Sequence, residues 1–203
     1  MLYQQIHLTL PAWTHDLVDP AATYTSDEEK VALAIELSRR NVDANSGGPF
    51  GAVVFGPDHR VISLGVNRVM PHTCSLAHAE NMAYMLAQQR LQTPRLNDVL
   101  SPVTLATSSQ PCCQCYGATI WAGIDRLLIG ARSEDVETLT EFDEGPLPAD
   151  WIGELERRGI VTRLEWQLAD GDLSDAQRVT LFRVCQEGLN NVVKHANAHS
   201  VTI

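Results

Sequence analysis

The chain has 203 residues, 44% of them apolar and 20% charged, which is enough for one globular domain of ordinary size and an appendage. No apolar run is long enough to span a bilayer and no signal-peptide pattern opens the chain, so a soluble cytoplasmic protein with no membrane partner is expected. Basic residues number 15 against 25 acidic ones, a net charge of −10 with no basic cluster, which argues against a nucleic-acid partner and for a small-molecule one.

Residues 1–25 show no regular pattern, and Pro11 and Pro20 interrupt them. Ser26-Asp27-Glu28-Glu29 is a capping box, and Val31, Ala34, Ile35 and Leu37 follow at helical spacing, predicting a helix over 27–42. Ala52-Val53-Val54-Phe55 reads as a buried strand. Pro57-Asp58 turns the chain into a second strand over 61–66, giving a hairpin. A loop over 67–76 leads to a helix over 78–89. A third strand covers 103–107, a helix runs from Cys112 to Trp121 and stops near Gly123, and a fourth strand covers 126–130. The order β-β-α-β-α-β, with crossovers through helices, predicts an α/β sandwich: a mixed central sheet flanked by helices.

Chemistry concentrates at two places in that scheme. His78-Ala79-Glu80 stands at the start of one helix, and Pro111-Cys112-Cys113-Gln114-Cys115 at the start of the next. One imidazole and two thiolates make a three-ligand zinc site whose fourth tetrahedral position is open to water. Helix N-termini carry partial positive charge and favour thiolate over thiol. Of the 5 cysteines, three crowd at 112, 113 and 115, which is the pattern of a metal site rather than of a disulfide framework. Cys74 and Cys185 read as buried thiols.

The pattern H-x-E … P-C-x-x-C is the signature of zinc-dependent base deaminases. From Gly47 to about Ile160 the chain resembles the cytidine deaminase superfamily and, within it, the bacterial guanine deaminase branch. The residues carrying this resemblance are Gly48-Pro49-Phe50-Gly51-Ala52, Asn67-Arg68-Val69, His78-Ala79-Glu80, Pro111–Ala118 with Trp121, and Phe142-Asp143-Glu144-Gly145-Pro146. The resemblance implies zinc held by His78, Cys112 and Cys115, with Cys113 a ligand only if the register slips. It makes Glu80 the proton shuttle, Glu144 a second catalytic carboxylate, and Asn67, Phe50, Trp121, Asp143 and Ala79 substrate contacts. It further implies a homodimer and hydrolysis of a free purine base, guanine giving xanthine and ammonia. Aminotriazines, pterins or cytidine as substrate stay open at this stage, as does a catalytically impaired zinc-binding fusion protein.

The last forty residues depart from that pattern. The stretch from Leu173 through Cys185-Gln186-Glu187-Gly188-Leu189-Asn190-Asn191 to Lys194-His195-Ala196 resembles the first ATP-binding box of sensor histidine kinases of the hexose-phosphate-sensing kind. The aspartate and glycine-rich boxes that complete such a site are missing, so the expectation is structural: an amphipathic helix over 175–196 packing through Val179, Phe182, Leu189 and Val193. Two units are expected, a deaminase domain over 1–162 and a C-terminal extension over 163–203.

Overall fold

The structure is a computed structural model that describes residues 2, 4–19, 21–139 and 142–164. Helix α1, Asp27–Asp43, begins where the capping box places it. Ser26 Oγ accepts from the Glu29 N–H at 3.1 Å, and the Glu29 carboxylate accepts from the Ser26 N–H at 3.0 Å. Asp27, the first residue of α1, also accepts from Arg126 at 2.7 Å, tying the start of the helix to the sheet.

Five strands form one sheet: β1 (Gly51–Phe55), β2 (Val61–Val66), β3 (Thr104–Ser109), β4 (Arg126–Ala131) and β5 (Val161–Leu164), in the order β2-β1-β3-β4-β5. β1 runs antiparallel to both β2 and β3, while β3, β4 and β5 are parallel to one another. This is the mixed sheet anticipated from the sequence, with one strand more. Helices α2 (Val69–His72), α3 (Ala79–Leu91), α4 (Cys113–Ala122), α5 (Ser133–Leu139) and α6 (Trp151–Glu156) complete the fold.

Alternation along the strands makes the sandwich. Ala52 and Val54 of β1, Leu105 of β3, and Leu127 and Ile129 of β4 turn to one face, where Ala79, Ala83, Tyr84 and Ala87 of α3 cover them. Val53, Phe55, Ala106 and Leu128 turn to the other, against Val31, Ala34 and Leu37 of α1. The interior strand β1 is buried along its whole length, so its hydrophobic run is continuous rather than alternating.

Two local features set the position of the helices that carry the zinc motif. A Cβ at Gly65 of β2 would collide with the backbone of Ala79 and Ala83, so the absence of a side chain lets α3 lie directly on the strand. Across the helix pair, Tyr84 Oη and Thr119 Oγ1 share a buried hydrogen bond of 2.7 Å, and Thr119 Oγ1 also reaches the Cys115 carbonyl at 2.8 Å. α3 and α4 are thereby registered against each other one turn beyond their N-termini.

Helices α2, α5 and α6 and strand β5 are additions to the sequence reading. β5 spans the anticipated boundary at 162/163 and pairs with β4 as far as Leu164, so the folded sheet reaches past that boundary. The expected helix over 175–196, Cys185 and the kinase-like box lie outside the described residues.

Candidate zinc and active site

Chain path brings the two halves of the motif together. His78 is the N-cap residue of α3 and Cys112 the N-cap residue of α4, each with extended backbone, and Cys115 lies in the first turn of α4. His78 Nδ1 stands 3.5 Å from Cys112 Sγ and 3.6 Å from Cys115 Sγ. Tetrahedral zinc, with Zn–S near 2.3 Å and Zn–N near 2.0–2.1 Å, requires a sulfur-to-nitrogen separation of about 3.5 Å. The three ligand atoms all lie within 4.8 Å of one another, and they are the one such cluster among the described residues. The donor set and its spacing fit a zinc ion, and both sulfurs are buried in the core.

The thiols share a proton unequally. Cys112 is drawn down to about 4, first by the hydrogen bond from Cys115 and then by His78 and the Cys115 backbone N–H, against its burial. Cys115 is pushed well above the ordinary thiol value by Cys112 and by burial. His78 is raised, chiefly by the Cys112 sulfur, with burial opposing. Binding a metal displaces the shared proton, so affinity for it rises with pH.

Glu80, in the first turn of α3, is buried, and its Oε2 accepts from Cys115 Sγ at 3.3 Å. Burial pushes its carboxyl up, while its own backbone N–H works the other way. Glu144 is a second buried carboxylate. Its carbonyl accepts from the Cys113 N–H at 2.9 Å, pinning this segment to the start of α4. Burial, then Cys112 and Glu80, raise Glu144 to about 7.

The expected substrate contacts separate into two groups. Asn67 is buried just past the end of β2, with Oδ1 accepting from the Val69 N–H at 3.2 Å. Phe50, immediately before β1, is half-buried and meets Phe142 edge-on at 5.4 Å, so the loop before β1 touches the segment that carries Glu144. Trp121 is not brought to the cluster: it is 80% exposed near the far end of α4. It lies six residues beyond Cys115, about 240° round the helix, and so points away from the ligands. Asp143 is exposed, and its Oδ1 accepts from the Gly145 N–H at 2.7 Å, the work of a turn former. Ala79 is enclosed in the core, so contact with a ligand would be through its backbone alone.

Asn41 escaped the sequence reading. It lies fully buried on the apolar face of α1, bonded to both the Gly48 and Asn67 carbonyls. The available signal was its place seven residues after Ala34 and four after Leu37, a polar residue on the buried stripe.

A three-ligand cluster at two helix N-termini, with a buried carboxylate against it, defines a zinc-dependent aminohydrolase. The family described as the cytidine and deoxycytidylate deaminase zinc-binding region matches residues 24–131, more than half of the chain, and the protein belongs to that family. A probable cytosine deaminase of Schizosaccharomyces pombe is 33% identical over 144 residues, covering 70% of this chain and 83% of that one. The guanine deaminase of Nitrosomonas europaea superposes with a TM-score of 0.79 at 38% identity, over 92% of this chain and 99% of that one. A related structure, a variant holding 8-azaguanine, gives 0.78 at 39% identity over 90% and 98% of the two chains. The kinase-like tail has its own relative: the histidine-protein kinase/phosphatase UhpB of Salmonella typhimurium is 68% identical over 50 residues. That match spans 25% of this chain and only 10% of the kinase. Among the described residues no helix is long and apolar enough to cross a membrane.

Proposed function

We propose that this protein hydrolyses the exocyclic amine of a free purine base, converting guanine and water to xanthine and ammonia. The observation that carries the reading is the His78, Cys112 and Cys115 cluster at zinc spacing, with Glu80 buried against it. Guanine is favoured over other rings by the similarity to a guanine deaminase over nearly the whole of both chains and by the 8-azaguanine held in the related structure.

Zinc bound by these three residues supplies Lewis acidity that lowers the pKa of a water molecule from that of bulk water to about 7. Glu80 takes one proton from the attacking water and delivers it to the ring nitrogen next to the amine-bearing carbon. It takes the second from the new hydroxyl and passes it to the amine, whose C–N bond then breaks with loss of ammonia. Asn67, with Oδ1 occupied by Val69, has its amide nitrogen available to donate to a ring acceptor. Phe50 provides an aromatic wall, and Glu144 a second carboxyl for a ring N–H or the departing amine.

The active form is proposed to be a cytoplasmic homodimer. What supports a partner surface is the outer side of α4, where Trp121 stands exposed and Gly117 has open space around its Cα. The substrate assignment is tested by following ammonia release from guanine, adenine, cytosine, cytidine and an aminotriazine with zinc-loaded protein. Guanine is expected to turn over fastest. Preference for a pyrimidine or a triazine would overturn the purine assignment while leaving the zinc chemistry in place.

A further inference from the structure

Asn41 stands behind the proposed pocket rather than in it. It is fully enclosed, 0% exposed, on the last turn of α1, and the same buried stripe carries Ala34, Leu37 and Ser38. A polar side chain is tolerated there because its hydrogen-bonding groups are occupied. Nδ2 donates to the Gly48 carbonyl at 2.8 Å and to the Asn67 carbonyl at 2.9 Å, while Oδ1 accepts from Ser46 Oγ at 2.8 Å. Gly48 belongs to the loop that leads into β1 and to Phe50; Asn67 immediately follows β2. One side chain therefore ties together the two segments that present the aromatic wall and the amide of the pocket.

Neighbouring bonds reinforce the link. The Asn67 N–H donates to the Phe50 carbonyl at 3.0 Å, and Ser38 Oγ, on the preceding turn of α1, donates to the Pro49 carbonyl at 2.6 Å. Gly48 lies against the Asn67 side chain so closely that a Cβ there would sit 3.2 Å from its Oδ1. Ser46 in turn accepts from Trp13 Nε1 at 3.0 Å, and its carbonyl accepts from Arg68 Nη1. The N-terminal segment is thereby joined to the same support.

We propose that Asn41 is a positioning residue that sets the separation of Phe50 and Asn67, and hence the affinity of the pocket for its planar base. This rests on the functional reading above. Asn41 is held apart from the zinc ligands by its place on α1, on the opposite face of the sheet from α3. Its loss is therefore expected in binding rather than in the chemical step.

The test uses the full chain loaded with zinc, with Asn41→Ala and the milder Ser46→Ala, which removes the Oδ1 partner and leaves both Nδ2 bonds. Two readouts are taken: KM and kcat for guanine, and amide hydrogen exchange over 46–51 and 67–69. For Asn41→Ala, KM is expected to rise about tenfold, roughly the worth of one well-placed hydrogen bond, with kcat within about twofold of wild type and zinc retained. Exchange should speed up in those two segments and not in α3 or α4. Ser46→Ala should shift both readouts the same way by less, and it decides the matter if Asn41→Ala does not fold. Unchanged KM and exchange in a folded, zinc-loaded variant would overturn the proposal, as would a fall in kcat in step with zinc loss. If wild type fails to turn over guanine, the substrate reading has failed, and the exchange readout alone judges Asn41.

Discussion

Glu80 and Cys115 touch at 3.3 Å because α3 and α4 begin side by side, and that contact places a buried carboxylate, the proposed proton shuttle, against the ligand cluster. Replacing the carboxylate by its neutral isostere leaves the three ligands alone. Glu80→Gln is therefore expected to keep its zinc, checked by metal analysis, while kcat falls by about 10²–10⁴-fold or more; turnover at the wild-type rate would remove Glu80 from the mechanism. The clustering of His78, Cys112 and Cys115 with Glu80 beside them was legible in the sequence because motif spacing is a constraint of coordination chemistry. Where the Trp121 and Asp143 side chains lie was not legible, for a different reason. An aromatic or an acid near a motif reads the same whether it faces the pocket or solvent, and only the rotation of α4 and the turn at Gly145 decide which. Asn41 was missed because a buried asparagine declares itself only through the carbonyls it meets, and those come from distant loops.

At the scale of elements, the decisive contact is backbone to backbone. α3 can bring His78 and Glu80 to the cluster because Gly65 lets its first turn lie against β2, where a Cβ would strike the Ala79 carbonyl. Gly65→Ala is expected to cost about 1–3 kcal/mol in denaturant unfolding, the usual penalty of overpacking, and to weaken zinc retention on dialysis. Full stability with full zinc content would show that α3 can shift without moving its ligands. α1, β1, β2, α3, β3, α4 and β4 were readable from period, caps and turn residues, since each is long enough to repeat its pattern. The elements that were not readable are short. α2 is 4 residues containing Pro71, and β5 is 4 residues held in place by pairing with β4 rather than by its own pattern. α5 opens on an acidic first turn that reads as a solvated stretch.

At the scale of the whole molecule, the chain joins a deaminase sheet that runs at least to Leu164 to a C-terminal segment similar to part of a kinase. The proposed chemistry rests on residues between 41 and 144 and assigns no step to Glu187, the carboxylate of the kinase-like box. Glu187→Ala should leave guanine turnover unchanged within about twofold, and a large loss would mean that the tail has been recruited into the site. Zinc dependence is tested most directly by stripping the protein with a chelator, returning zinc stepwise and following xanthine formation. Turnover is predicted to vanish on stripping and to rise linearly to a plateau at one zinc per chain, with Cys115→Ala failing to recover. Turnover that persists in metal-free protein, or that ignores the returned zinc, would rule out zinc-dependent hydrolysis at this site.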